Sequence, residues 1–279
     1  MSENEENASI ENIKAELQQY TPNTKKRIIE KVILALLGSI PWIGNFLSNA
    51  ATFKTEESSI KTSSLQTMWL EEHEKKFKKL LETLSEIDRR FALMGDQIEE
   101  RINSEEYLSL VRKSFRVWED SETDEKKRYV ANLLTNSAGT KLCSDDVIRL
   151  FIDWLNIYHE LHFAVIRAIH KTPGMTRYSI WCELKDSNLP REDSSDADLF
   201  KYIIRELSTG GVIRQARDTT DDGRFIKHKP VKSSFKTGTM KSAFDDSEQY
   251  MLTGLGQQFV HYTMNEAVSK IEGRSNTDL

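Results

Sequence analysis

The pattern of hydrophobic and polar positions begins with one unusual stretch. From Val32 to Phe53 the chain carries no charged residue, although 30% of all its residues are charged. This length reaches the roughly 20 residues needed to cross a bilayer, but Pro41 and two glycines interrupt it. Because a proline kinks or ends a helix, we expect two short apolar segments within residues 28–53. They form either a hairpin or a kinked helix.

Three interpretations of this apolar hairpin stay open. It is a buried hairpin or oligomer interface, a tongue that inserts into a membrane, or a permanent transmembrane anchor. The bases at 25–27 fit the positive flank of a membrane segment, whereas a proline and two asparagines are tolerated in a span only where neighbouring groups satisfy the backbone. The side chains that would enter a core or a membrane are Leu36, Leu37, Ile40, Trp42, Ile43, Phe46 and Leu47.

The clearest periodicity follows directly. Apolar or aromatic positions recur every three or four residues over more than four heptads, with charged residues between them. The seam consists of Trp69, His73, Phe77, Leu80, Leu84, Ile87, Phe91, Met94, Ile98 and Ile102. This spacing predicts one long amphipathic helix over residues 60–103, with Gly95 as its weak point. Its seam needs another long helix, from the same chain or a second copy, and a homo-oligomer through this helix is therefore expected.

The middle of the chain also predicts helices. Residues 105–119 carry one apolar face, and the next helix is expected to start at a Ser121 cap and to end at Gly139. Ser144 begins a further apolar pattern that continues to Ile169 without glycine or proline. This pattern is either one helix or two helices with a small bend.

After Pro173-Gly174 the pattern changes to short elements. Helices are expected at 176–184, 198–208 and 255–271, and strands at 212–215 and 250–252. This order resembles the winged-helix superfamily from about residue 158 to 271. The resemblance rests on Phe163–Ile169, Thr176–Trp181, Leu199–Leu207 with Gly210-Gly211-Val212-Ile213, and Tyr250-Met251-Leu252-Thr253-Gly254-Leu255-Gly256. It implies a third helix that enters the major groove of DNA, here 198–208, and a wing at 218–248.

The expected wing is strongly basic. Between Gly223 and Asp245 there are six bases and no acid, and serine and threonine hydroxyls lie among them. Such a segment can contact several phosphates with a salt-dependent affinity. The predicted nucleic-acid contacts are Lys201, Arg205, Arg214, Arg217, Arg224, Lys227, Lys229, Lys232, Lys236 and Lys241.

Base-specific recognition is less well supported by the sequence. The expected third helix has Lys201 and Arg205, but it also has Asp196, Asp198 and Glu206. This composition favours contact with the nucleic-acid backbone and little sequence selectivity. The alternative is that the basic wing is a solvated loop or a surface that faces a protein partner.

Composition and motifs narrow the chemistry. The net charge is −5 and the pI about 5.8, so nucleic-acid binding requires a local basic patch. Cys143 and Cys182 match no redox or metal pattern, which favours a reducing, cytoplasmic compartment. His159 and His162 lack a third ligand, and no phosphate-binding glycine motif is present. We therefore expect no enzyme, no metal, no cofactor and no small-molecule substrate.

The predicted fold class is mainly α. Residues 8–140 are expected to form a helical, coiled-coil-like module with the apolar hairpin, and residues 141–273 a winged-helix domain with a small β-wing. The expected function is a non-enzymatic, oligomeric regulator or sensor that contacts nucleic acid or a partner through its basic wing.

The alternative function is a membrane-acting effector of a bacterial stress or antiviral defence system. A broken apolar hairpin beside a long heptad helix is similar in layout to α-helical pore-forming toxins, although no toxin motif matches residue by residue. In this alternative, residues 28–53 enter the membrane on activation and the winged helix senses the trigger.

Overall fold

The computed structural model describes residues 32, 35, 39–43, 64–185, 188–217, 222 and 242–265. In this part the chain is mainly helical, with a small three-stranded antiparallel sheet, as the predicted fold class requires. The chain divides into two compact units. The first contains residues up to Ile157 together with those from Tyr262 onward, and the second contains Tyr158–His261.

The long helix of the first unit is shorter than the sequence predicts. Helix α1 spans Ser64–Met94, a 3-10 turn spans Gly95–Ile98, and helix α2 spans Glu99–Asn103. Gly95 has a φ of 71°, in the left-handed region that glycine adopts at little cost. This backbone conformation ends the α-helical hydrogen-bond ladder, so a single helix over 60–103 is corrected to two helices joined by a tight turn.

Three further helices follow in the first unit, and one of them covers the seam of α1. Helix α3 spans Glu105–Asp120, α4 spans Asp124–Gly139 and α5 spans Asp145–Ile157. Helix α1 packs against α4, and α3 packs against both α4 and α5. The seam side chains that these contacts bury are Phe77, Leu80, Leu84, Ile87 and Phe91. Because the chain itself covers this part of the seam, the seam does not need a second copy of the chain. The homo-oligomer stays a prediction.

Helix boundaries in the middle of the chain follow local capping. Thr123, not Ser121, caps α4, because its hydroxyl accepts a hydrogen bond from the Lys126 amide. The α5 helix packs within the first unit, and the two compact units divide after Ile157. The predicted modules at 8–140 and 141–273 stay a prediction. The long apolar pattern up to residue 169 is resolved as two helices rather than one.

The apolar hairpin is described only in part. Val32, Ala35, Ile40 and Ile43 are buried, and both isoleucines are 0% exposed. Trp42 is half-buried and packs edge-on against the His73 ring, with 4.9 Å between ring centroids. The predicted residues Leu36, Leu37, Phe46 and Leu47 lie outside the described residues. Among the described residues, no helix combines the length and the apolar character that crossing a membrane requires.

The second unit combines helices with the small sheet. Helix α6 spans Glu160–Lys171, strand β1 Met175–Thr176, helix α7 Arg177–Leu184 and helix α8 Ser195–Thr209. Strand β2 spans Ile213–Gln215, strand β3 spans Gln249–Leu252, and helix α9 spans Gly254–Thr263, whose last two residues belong to the first unit. The strand order is β1-β3-β2. Ile213 pairs with Leu252, and Met175 pairs with Tyr250.

An aromatic cluster fixes the elements of the second unit that carry its surface. Trp181 on α7 meets the Phe244 ring edge-on, with 5.0 Å between centroids, and Phe200 on α8 stacks on the same ring at 5.9 Å. All three side chains are buried. The cluster therefore holds α7, α8 and the segment that leads into β3 in fixed relative positions, because tightly packed interiors resist displacement.

Candidate functional site

The described residues of the second unit form a basic groove. It has a volume of about 830 Å³ and lies between α8, strand β2 and the first residue of α7. Five basic side chains line it: Arg177, Lys201, Arg205, Arg214 and Arg217. Its other lining residues include Asp198, Tyr202, Ser208, Thr209 and Tyr250.

Helix α8 supplies one wall of the groove. The Ser194 hydroxyl accepts a hydrogen bond from the Ala197 amide at 3.2 Å and begins the helix. Four side chains of α8 then face the core: Phe200, Ile203, Ile204 and Leu207. Residues three and four apart share a helix face, so Lys201, Tyr202 and Arg205 lie on the opposite, accessible side.

Strand β2 supplies the other wall. Side chains alternate between the two faces of a strand, so Ile213 is buried and Arg214 is exposed. The next residue, Gln215, donates a hydrogen bond to Glu248 at 2.6 Å, across the sheet edge. Arg217 follows the strand and is also exposed. The short strand thus brings two guanidinium groups to the groove.

Arg177 also lines the groove, although no pattern in the sequence predicts it as a contact. Its Nε donates to the Tyr250 hydroxyl at 2.9 Å, and its guanidinium lies 5.6 Å from the centroid of that ring. A cation in the first turn of a helix opposes the helix dipole, and Arg177 is the first residue of α7. This unfavourable position is the signal in the sequence that could have pointed to it.

The cation of Lys201 is partly compensated. Its Nζ lies 3.3 Å from the Glu192 carboxylate, which also accepts hydrogen bonds from the Ala243 amide at 2.9 Å and from the Ser242 hydroxyl. The Ala243 amide and then Ser242 hold the pKa of Glu192 below its ordinary value. Glu192 therefore remains charged at neutral pH and weakens the field of Lys201 in the groove.

Glu206 is held on two sides. It accepts a hydrogen bond from the Tyr202 hydroxyl at 2.9 Å, and its other oxygen lies 2.8 Å from the Nε2 atom of His162. The His159 amide donates to His162 Nδ1 at 3.2 Å, which assigns the proton of the neutral ring to Nε2. Burial lowers the pKa of His162. Burial by itself would raise the pKa of Glu206, but the hydrogen bonds from His162 and Tyr202 outweigh this effect and lower the pKa.

The groove collects four of the ten predicted nucleic-acid contacts. Lys201, Arg205, Arg214 and Arg217 all line it. The six predicted wing contacts lie outside the described residues: Arg224, Lys227, Lys229, Lys232, Lys236 and Lys241. His162 is a buried, hydrogen-bonded histidine. Within the described ranges, no group of three or more His, Cys, Asp or Glu side chains could hold a metal ion.

Comparison of the chain with protein-family models, with curated proteins and with solved structures gives no significant match in any of the three. The charge and shape of the groove are therefore the basis on which a function can be argued.

Proposed function

We propose that the second unit is a winged-helix module that binds nucleic acid through its sugar–phosphate backbone. The observation that carries this proposal is the convergence of five basic side chains from three elements on one groove. The chain as a whole has a net charge of −5, so a local cluster of positive charge stands out from the rest of the molecule. Binding of a polyanion is the simplest function for such a cluster.

The order of elements supports the winged-helix part of the proposal. Helices α6, α7 and α8 precede strands β2 and β3, and β1 completes the sheet on the far side of β3. In this arrangement α8 takes the place of the third helix, and the segment between β2 and β3 takes the place of the wing. In sequence, that segment carries six further basic residues between positions 224 and 241.

Contact with phosphates accounts for the composition of the groove better than base recognition does. Guanidinium groups bind phosphate oxygens with two parallel hydrogen bonds, and four of the five basic residues are arginines. Ser208 and Thr209 add hydroxyl groups of the kind that contact phosphates. We therefore expect an affinity that depends steeply on salt and weakly on sequence.

Titration of a labelled oligonucleotide of random sequence with the full-length protein tests this function. Arg205→Glu with Arg214→Glu should lower the affinity at least tenfold and flatten its dependence on salt. The matched control is Arg167→Glu with Lys171→Glu, which makes the same change of charge on exposed positions of α6 outside the groove. Equal losses in the two double variants, or an affinity that the groove variant leaves unchanged, would contradict the proposal.

We propose a non-enzymatic regulatory or sensory role for the whole chain, with the first unit as the part that responds to or assembles around the bound nucleic acid. The membrane-acting alternative stays a prediction. In the described part of the hairpin, Ile40 and Ile43 are buried, so membrane insertion would first have to release them from the protein interior.

A further inference from the structure

We propose that the groove accepts a single strand of nucleic acid, and that Tyr202 provides the surface on which one base stacks. This inference rests on the proposed function and names the form of nucleic acid that the groove selects. Four observations carry it: the distribution of charge along α8, the exposure of the Tyr202 ring, the side chains that hold that ring, and the size of the groove.

The charge along α8 is unsuited to insertion into a duplex. A helix that reads the major groove does so mainly with its N-terminal residues. Here the N-terminal end carries the exposed carboxylates Asp196 and Asp198, with Glu192 just before the helix. These charges stabilise the helix through its dipole, but they would face the phosphates on both sides of a DNA groove. The basic residues Lys201 and Arg205 lie further along the helix.

Tyr202 is the aromatic side chain that α8 presents to the groove. It is 46% exposed and lines the groove, as Lys201 and Arg205 do. Proteins that bind single strands combine a positive groove with aromatic rings on which bases stack. In a duplex the bases already stack on each other, so an exposed ring gains this contact only from an unpaired base.

A chain of hydrogen bonds holds the Tyr202 ring in place. Its hydroxyl donates to Glu206 at 2.9 Å, and Glu206 is held in turn by His162 at 2.8 Å. His162 is 2% exposed and stacks against the Tyr158 ring, with 5.0 Å between centroids and 16° between planes. Because the hydroxyl is already bonded, the face of the ring is the part of Tyr202 left for a ligand. Glu206 and His162 are thus positioning residues.

The size of the groove agrees with a single strand. Its volume of about 830 Å³ lies within the range of roughly 300–1,000 Å³ that ligand sites occupy. A few nucleotides of an extended strand fit such a space, with phosphates toward the arginines and one base toward Tyr202. A duplex is too wide to enter and could contact only the rim.

The test compares three labelled probes of equal length with the full-length protein. They are a single-stranded oligothymidylate, the same strand with an abasic site at every position, and a hairpin duplex. The wild-type protein should bind the oligothymidylate most tightly.

Tyr202→Leu should lower that affinity by about tenfold to a hundredfold and leave binding of the abasic strand within about twofold. Tyr202→Phe keeps the ring and should lose less. Leu199→Ala, on an exposed residue of α8 that does not line the groove, should bind as the wild type does.

Glu206→Gln and Glu206→Leu test the positioning role with equal changes of charge. Glutamine keeps an acceptor for the Tyr202 hydroxyl and leucine does not, so the leucine variant should bind the oligothymidylate more weakly than the glutamine variant. This difference should vanish when Tyr202 is also replaced by leucine.

Duplex binding as tight as single-strand binding, or an equal effect of Tyr202→Leu on the abasic strand, would overturn the inference while leaving the proposed function intact. No binding of any probe would instead reject the proposed function itself.

Discussion

The side-chain amide of Asn136 in α4 donates a hydrogen bond to the main-chain oxygen of Tyr262 at 3.0 Å, across 126 positions of the chain. Asn132, one turn earlier, donates to the main-chain oxygen of Thr263 at 2.7 Å. The last carbonyls of a helix have no partner within the helix, and these two amides satisfy them at the end of α9. The buried side chains of α4 thereby anchor residues 262–265 in the first unit.

Removal of the Asn136 amide should destabilise the first unit. Asn136→Ala leaves a buried carbonyl without this donor, which costs about 1–3 kcal/mol of the free energy of unfolding. Urea unfolding of the full-length protein measures the effect. Asn156→Ala is the control, because Asn156 is exposed at the end of α5. A midpoint for Asn136→Ala equal to that of the control would show that the hydrogen bond contributes nothing.

Two glycines in the first turn of α9 should respond oppositely to alanine. A Cβ at Gly256 would lie 2.2 Å from the main-chain oxygen of Val212, whereas a Cβ at Gly254 would meet nothing within 4 Å. Gly256→Ala therefore forces α9 and the residue before β2 apart, at a cost of about 1–3 kcal/mol or more. Gly254→Ala should be neutral or slightly stabilising, because alanine favours the helix. Thermal unfolding distinguishes the two, and equal melting temperatures would contradict the close approach.

The stability of the second unit should fall in mildly acidic solution because of His162. Burial lowers its pKa in the folded protein, so the unfolded chain binds this proton more readily. The contribution of neutral His162 to the free energy of unfolding is therefore fully present above the ordinary pKa of about 6.5. It is lost as the pH falls from there toward the pKa of His162 in the folded protein.

The variant His162→Gln removes this titration and still offers a donor to Glu206. Its free energy of unfolding should therefore change less between pH 7.5 and 5.5 than that of the wild type, as measured by urea unfolding at a series of pH values (these limits bracket the ordinary value of about 6.5). Glu206 titrates below this window, since its pKa is lowered from 4.5. Parallel pH profiles for the two proteins would exclude His162 as the source of the dependence.

Each arginine that contacts a phosphate should contribute to the salt dependence of binding. Arg205→Ala and Arg214→Ala should each reduce the slope of log K against log salt concentration by about 0.7–0.9. Arg167→Ala, on the exposed face of α6 outside the groove, should leave the slope unchanged. The measurement is the affinity for one oligonucleotide over a series of salt concentrations. A slope that none of the three variants alters would place the phosphate contacts elsewhere.

The described part of the apolar hairpin should contribute to the stability of the first unit. Ile43 is 0% exposed, so Ile43→Ala should lower the free energy of unfolding by about 2–4 kcal/mol. Met68→Ala, at an exposed position of α1, should have little effect. If Ile43→Ala unfolds at the same urea concentration as wild type, the segment is not held in the core, and the membrane-acting alternative becomes the stronger hypothesis.

Predicted and observed structure agree best for the elements that have strong local sequence signals. The spacing of Phe77, Leu80 and Leu84 correctly placed the buried face of α1, and α9 begins within one residue of the predicted start at 255. The left-handed turn at Gly95 was visible only as a weak point, because the apolar spacing continues through it to Ile102. Strand β1 was missed because its two residues form a strand only through pairing with β3.

The sequence by itself determined the approximate positions of the helices and which helix faces are apolar, because both depend on neighbours within a turn or two of the chain. The tertiary structure alone decided the groove and the anchoring of residues 262–265 on α4. Arg177 reaches the groove through its contact with Tyr250, 73 positions away, and Asn136 meets Tyr262 across a still longer separation. Such contacts arise from the packing of distant segments, and no local preference of the chain encodes them.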